Sequence, residues 1–291
     1  MDQHQLTPDL AQTAEDKPIG DIIREAHNLS ADQVQKVLQH QQVTGLKFGE
    51  AAVALGLIKR EHVLWALSQQ FLYPYASEAA PLPELVVSSS PFSEHAESFR
   101  ELRSQLMATV FAGPTPRRAL AVVSPDVGDG KSYFAANIAV VLSQLGGRTV
   151  LVDADMRSPR LQEIFNYRVD AGMSSALVGR SEIKVIKPVP ELPNLFVLPV
   201  GVVPPNPQEL VQRPAFAMVL KDLCDKFDYV IVDTPAAVHG ADARVIAATC
   251  GAALVVGRRG SSRLPALKKL VNSIQKLQAT VAGVVINEYP A

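Results

Sequence analysis

The sequence predicts a doubly wound α/β domain with a mostly parallel sheet, preceded by a small all-helical domain. From residue 92 onward, short β-branched runs alternate with helical stretches; the runs are apolar at nearly every position, and residues 19–41 recur at 48–70. Continuous apolar runs suit strands buried on both faces of a parallel sheet, and their alternation with helices suits crossover connections. The chain has 291 residues, a net charge of -1, 47% hydrophobic and 20% charged residues. At roughly 150 residues per domain this allows about two domains, and the composition excludes a mostly disordered chain. Near-neutral charge argues against a broad polyanion-binding face, so no nucleic-acid partner is expected. No apolar run approaches the roughly 18 residues of a membrane-spanning helix. Met1 to Lys17 is polar and acidic without the apolar core of a secretory signal, so a cytoplasmic location is expected. The two cysteines, Cys224 and Cys250, fall in apolar helical stretches and read as buried free thiols.

In chain order, the repeat comes first. Ile19–Gln41 falls on Phe48–Gln70 without a gap, pairing Gly20 with Gly49, Val34 with Val63, Leu38 with Leu67 and Gln41 with Gln70. Each unit reads as a short helix, a turn and a second helix. Ser30 with Gln33 three residues later predicts a capping box, and Val34, Val37, Leu38 and Gln41 share one helix face. Such units bury their apolar faces on each other, giving a helical repeat domain over 18–76. Residues 77–91, with Pro81, Pro83, Pro91 and Ser88-Ser89-Ser90, read as an interdomain linker. The α/β domain follows over 92–291. Its strands are expected at Leu120–Ser124, Thr149–Asp153, Leu195–Leu198, Tyr229–Asp233, Ala252–Val256 and Val281–Ile286. Its helices include Lys131–Leu145, Pro214–Phe227, Ala241–Thr249 and Leu264–Leu277.

Chemistry concentrates at the strand ends. After the first strand stands Ser124-Pro125-Asp126-Val127-Gly128-Asp129-Gly130-Lys131-Ser132, leading through Tyr133 into a helix. Gly-Lys-Ser between strand and helix is a phosphate-loop context, although Pro125 replaces the usual opening glycine. Asp126 to Tyr133 is therefore the candidate nucleotide-binding segment. Glycines let backbone N–H groups approach phosphate oxygens, and the helix N-terminus adds a favourable dipole. Lys131 would reach the β- and γ-phosphates and Ser132 would bind Mg²⁺. The second strand ends Asp153-Ala154-Asp155, whose carboxylates can converge because alternate strand positions share a side. The fourth run ends at Asp233-Thr234-Pro235, a Walker B pattern. Ligands of open α/β sheets bind beyond the carboxyl ends of strands. ATP and Mg²⁺ are the expected cofactors, with Lys131, Asp153, Asp155 and Asp233 as catalytic candidates and Ser132, Asp155 and Asp233 as metal ligands.

These motifs, with Gly201-Val202-Val203-Pro204-Pro205-Asn206-Pro207 and Glu97-Ser98-Phe99-Arg100-Glu101-Leu102-Arg103, resemble the bacterial tyrosine kinases of the exopolysaccharide chain-length type over about residues 92–288. The resemblance implies an ATP- and Mg²⁺-dependent protein-tyrosine kinase regulating exopolysaccharide polymerisation, chain length and export. It implies Asp153 as the base toward a tyrosine hydroxyl. It implies a ring-like homo-oligomer joined through Glu97, Arg100 and Arg103, for which a solvated charged face is the alternative. It also implies a membrane-embedded chain-length regulator (co-polymerase) subunit as partner, recruiting the chain to the inner membrane. A family tail rich in tyrosines is missing: only Tyr289 lies near the end. The acceptor is therefore expected on another protein. A nucleotide-switched scaffold ATPase, similar to partition ATPases, is the alternative function, although Asp126 stands where those carry a signature lysine. The repeat domain resembles the N-terminal domain of type II secretion and pilus assembly ATPases, some of which bind cyclic di-GMP. That resemblance implies Lys47, Gly49 and Gln70 as the cyclic di-GMP candidates, with protein docking as the alternative.

Overall fold

A computed structural model describes residues 18–70, 82–113, 118–167, 170–179 and 185–288. The chain forms two compact units, Met1–Tyr75 and Ala76–Ala291. Among the described residues, no helix is long and apolar enough to cross a membrane.

The first unit contains helices α1 (Ile19–Ala26), α2 (Ala31–Thr44), α3 (Phe48–Ala54) and α4 (Arg60–Gln70). The capping box at α2 is formed: Gln33 N–H donates to Ser30 Oγ at 3.3 Å and Ser30 N–H donates to Gln33 Oε1 at 2.9 Å. The small core holds Ile23, Val37, Ala51, Ala52, Ile58 and Ala66. Leu38 departs from the expected apolar face and is 48% exposed, because Val37 takes the central core position instead. The glycines at matching repeat positions serve helix packing. A Cβ on Gly49 would lie 2.5 Å from Val63 Cγ1, and one on Gly20 would touch the Phe48 ring at 3.5 Å. This corrects the expectation for Gly49: the room left by its missing side chain is filled by Val63 of α4, not left for a ligand. Lys47 is exposed. The Gln70 side chain lies outside the described residues.

The second unit begins with α5 (Val86–Ser89) and α6 (Glu94–Thr109), followed by β1 (Ala119–Val123), α7 (Lys131–Ser143) and β2 (Thr149–Asp153). Next come α8 (Leu161–Ile164), α9 (Met173–Leu177), β3 (Lys187–Val189), β4 (Leu192–Leu198), α10 (Pro207–Val211) and α11 (Pro214–Lys226). The unit closes with β5 (Tyr229–Asp233), α12 (Asp242–Cys250), β6 (Gly251–Arg258), α13 (Leu264–Lys276) and β7 (Thr280–Asn287). The seven strands are ordered β3-β4-β2-β5-β1-β6-β7, parallel except for the antiparallel β3–β4 pair. Strand alternation builds two cores. Ala119, Ala121 and Val123 face a layer containing Phe216, Leu220 and Ile246, while Leu120 and Val122 face one containing Phe99, Ile138 and Leu142.

The expected linker 77–91 needs correction over its described part. Residues 82–91 pack onto the α/β unit, with Leu85 and Val87 wholly buried. Asn137, inside α7, secures them: its Oδ1 accepts from Val87 N–H at 3.2 Å and its Nδ2 donates to the Glu84 carbonyl at 2.9 Å. Prolines and serines set local propensity, but the apolar Leu85 and Val87 and a distant buried amide decide where this segment lies.

The Gly49 contact yields a prediction. Overpacking a filled site costs about 1–3 kcal/mol, so Gly49→Ala should destabilise the first unit by that order, and Val63→Ala in the same background should recover most of it. Trp65, the single tryptophan, reports on this unit by fluorescence during urea unfolding. An unchanged midpoint for Gly49→Ala would return this glycine to the ligand reading.

Candidate functional site

β1 delivers Ser124 to the carboxyl edge of the sheet, and the loop to α7 turns on two glycines. Gly128 and Gly130 have φ of 83° and 99°, a region that side-chain-bearing residues occupy only under strain. Gly130 precedes α7 without any side-chain cap, so the first N–H groups of the helix stay available to a ligand. Ser124 Oγ donates to the Asp126 carbonyl at 2.8 Å, and Asp126 N–H donates to Asp129 Oδ2 at 2.9 Å. These bonds fix the loop from within. A cavity of about 490 Å³ opens beside it, lined by Gly128, Gly130, Lys131, Ser132, Tyr133, Asp155 and His239 among others. Lys131 is only 7% exposed. Val127 is 61% exposed at the loop tip.

Parallel pairing of β2 with β5 sets Asp153 directly beside Asp233. Both side chains are fully buried. Asp153 Oδ1 accepts the Asp155 N–H at 3.1 Å. Neither Asp153 Oδ2 nor either oxygen of Asp233 receives a well-formed hydrogen bond. Burial, then the charges of Asp233 and Asp155, hold the Asp153 carboxyl well above the usual carboxylate range. Burial pushes Asp233 up to about 7; the Lys131 charge and the adjacent Ser132 hydroxyl oppose the shift, and Asp155 reinforces it. Asp155 sits one step outward in the cavity wall, where its Oδ1 accepts the N–H groups of Arg157 at 3.1 Å and Ser158 at 2.9 Å.

Lys131, Ser132 and Asp155 thus share one cavity, and the buried Asp153 and Asp233 lie next to it, Asp233 within reach of the Lys131 charge and the Ser132 hydroxyl. Asp153, expected as the base, is fully buried in this arrangement, with Asp155 standing between it and the cavity. Among the described residues, no three His, Cys, Asp or Glu side chains converge closely enough to hold a metal alone. The fit is to a hard cation that also takes phosphate oxygens, since Mg²⁺ typically uses one or two carboxylates plus phosphates. The partnerless oxygens of Asp153 and Asp233 are the observation that calls for positive charge nearby.

Several supporting bonds could not be read from the sequence, although Thr234 itself belongs to the Asp233-Thr234-Pro235 motif. Thr234 Oγ1 donates to the Val122 carbonyl at 2.8 Å, pinning the turn after β5 to β1. Arg157 Nε meets the buried Asp242 Oδ2 at 2.6 Å, and that hydrogen bond raises the Arg157 pKa. At the cavity rim Arg160 joins Glu84 at 2.8 Å and Glu163 at 3.1 Å. His239 enters the wall from the turn after Asp233. The charged triad on α6 is not presented as a free face. Arg100 pairs with Glu97 at 2.7 Å and donates to the Pro91 carbonyl, while Arg103 donates to the Val141 carbonyl at 3.1 Å. Only the Glu97 side chain, 64% exposed, is turned outward.

Comparison with known proteins agrees with this geometry. The ParA family model, described as NUBPL iron-transfer P-loop NTPase, matches residues 115–289. The tyrosine-protein kinase CpsD of Streptococcus agalactiae is 30% identical over 193 residues, covering 66% of this chain and 82% of CpsD. The tyrosine-protein kinase Wzc of Salmonella typhimurium is 29% identical over 204 residues, 70% of this chain, which spans only 28% of the length of Wzc. The solved kinase domain of the Escherichia coli tyrosine kinase ETK superimposes with a TM-score of 0.66 at 27% identity, covering 71% of this chain and 81% of that domain.

The buried carboxylates fix a pH dependence. A carboxyl whose folded pKa is raised binds more protons in the folded than in the unfolded state between about pH 4 and its folded pKa, so stability falls as pH rises through that window. With Asp233 at about 7, ligand-free protein should lose stability from pH 4 toward pH 7 at this site. Asp233→Asn should flatten that fall and gain at least about 1 kcal/mol at pH 8. Denaturant midpoints across this range are the check, and a variant with the wild-type pH profile would refute the assignment.

Proposed function

The chain belongs to the bacterial protein-tyrosine kinases, built on the ParA-type P-loop NTPase fold, and from that premise we propose that it phosphorylates a tyrosine of a protein partner with Mg-ATP, regulating exopolysaccharide polymerisation, chain length and export. The observation that carries this reading is the juxtaposition of buried Lys131 with carboxylate oxygens that lack a well-formed hydrogen bond, beside a cavity at the carboxyl edge of the sheet. Bound Mg-ATP would supply the transferable phosphoryl group and the divalent charge those oxygens lack. Lys131 and the first N–H groups of α7 would neutralise phosphate charge. Ser132, Asp155 and Asp233 would hold the cation. Asp153, accepting the Asp155 N–H, would position Asp155 from behind. A tyrosine hydroxyl has an ordinary pKa near 10, so orientation and charge neutralisation matter more than a strong base. Asp155 is the aspartate left facing the acceptor.

Of the three tyrosines among the described residues, Tyr167 has its hydroxyl engaged and Tyr133 and Tyr229 have their rings packed. Tyr133 packs edge-on against Phe99 and Phe134, Tyr167 O–H donates to the Pro188 carbonyl at 2.7 Å, and Tyr229 packs edge-on against Phe111. Tyr73, Tyr75 and Tyr289 lie outside the described residues. This favours an acceptor on another protein, and a membrane-embedded chain-length regulator that brings the kinase to the inner membrane fits that need. The same engagement supports the second reading, a nucleotide-switched scaffold without tyrosine transfer. Ring assembly through α6 would rest on outward Glu97, with Arg100 and Arg103 shaping the helix from inside. For the first unit, buried Gly49 favours protein docking over cyclic di-GMP.

Lys131→Ala should lower phosphoryl transfer roughly a hundredfold or more, as for loss of one preorganised charge contact, without lowering the melting temperature appreciably. Phosphotyrosine on co-expressed membrane partners is the readout. Wild-type transfer by Lys131→Ala would overturn the site, and ATP turnover without any phosphotyrosine would select the scaffold reading.

A further inference from the structure

The phosphate loop is also fastened from outside, by a side chain that belongs to none of its motifs. Asp129 sits one residue before Gly130 and is fully buried. One carboxylate oxygen accepts the Asp126 N–H at 2.9 Å, inside the loop. The other accepts the Ser262 hydroxyl at 2.6 Å, from the turn between β6 and α13. Ser262 Oγ in turn accepts the Arg258 N–H at 2.7 Å. That bond orients the hydroxyl, leaving its proton for Asp129. A third tie comes from the end of β7, where Asn287 Nδ2 donates to the Asp129 carbonyl at 3.2 Å. Asn287 also lies where a Cβ on Gly130 would collide with it.

We propose that Ser262 is a positioning residue for the phosphoryl donor: acting through Asp129, it holds the loop in the shape that receives phosphate. The physical need is plain. A carboxylate beside a phosphate site repels the ligand unless it is turned away and kept there. Ser262 and the Asp126 N–H occupy one oxygen each, so the charge of Asp129 is spent on shaping the loop. Hydrogen bonds to an ionised acceptor are short and strong, and the 2.6 Å separation is of that kind. Without the Ser262 proton, one oxygen of Asp129 is unpaired and free to swing toward the phosphates, and the N–H groups of the loop lose their alignment. The cost falls on nucleotide binding, because Ser262 itself faces Asp129 and not the reacting atoms. This inference rests on the reading of the loop as the ATP site.

The experiment uses the full chain and two readouts, Mg-ADP affinity by calorimetry and the split of kcat from KM for ATP. Ser262→Ala should weaken Mg-ADP and raise KM by about tenfold, the usual order for one hydrogen bond to a charged group, with kcat within about twofold. Ser262→Thr, which keeps the hydroxyl, should restore most of the affinity. In an Asp129→Ala background, Ser262→Ala should add nothing further, since its route to the loop is gone. Unchanged Mg-ADP affinity in Ser262→Ala, or an equal loss with and without Asp129, overturns the proposal. Lys131→Ala separates the two levels: if it too leaves Mg-ADP binding intact, the ATP-site reading fails, whereas loss in Lys131→Ala beside normal binding in Ser262→Ala sinks this inference alone.

Discussion

Asp153 and Asp233 end neighbouring parallel strands with both side chains fully buried, and three of their four carboxylate oxygens lack a well-formed hydrogen bond. Few polar arrangements are more costly, because desolvation of a carboxylate is offset only by pairing, protonation or a cation. The rest of the α/β unit accommodates that constraint. Both strands are apolar on both faces, so the sheet can seal the pair only if helices cover each side, as the two cores do. α7 is buried along almost its whole length, and that burial holds Lys131 where its charge opposes the shift at Asp233.

The surrounding bonds direct this strain toward a ligand. Asp155 is fixed by accepting two backbone N–H groups, its own N–H bonds to Asp153, and Arg157 ties the following turn to α12. Thr234 anchors the turn after β5 to β1, and β5 pairs with both β1 and β2, so the three strand ends around the cavity are bonded to one another. A site preorganised in this way needs little rearrangement when charge arrives, which is where electrostatic stabilisation of phosphoryl transfer originates.

Much of this was legible in the residues themselves. Thr149–Asp153 and Tyr229–Asp233 match the observed strands end to end, because a doubly buried strand is written as an unbroken apolar run. Gly130-Lys131-Ser132 and the strand-end aspartates announced the site because phosphate chemistry demands those residue types in sequence order. What stayed hidden depends on partners far along the chain. β3 is three residues long and contains Pro188, so it carries no periodic signal. Residues 82–91 read as linker because the buried amide that holds them, Asn137, lies some fifty residues away. Spacing placed Arg100 and Arg103 near one helix face but could not show that carbonyls of Pro91 and Val141 would claim them. The depth of Asp153 depends on its register with β5, which only pairing reveals.

Burial favours the protonated forms of the Asp153 and Asp233 carboxyls, and an arriving cation would favour the ionised ones. Calorimetry of Mg-ADP binding near pH 6.5, repeated in buffers of different ionisation enthalpy, measures the protons exchanged on binding. The account predicts net proton release from wild-type protein, reduced in Asp233→Asn. Binding with no proton exchange, or with uptake, would contradict it.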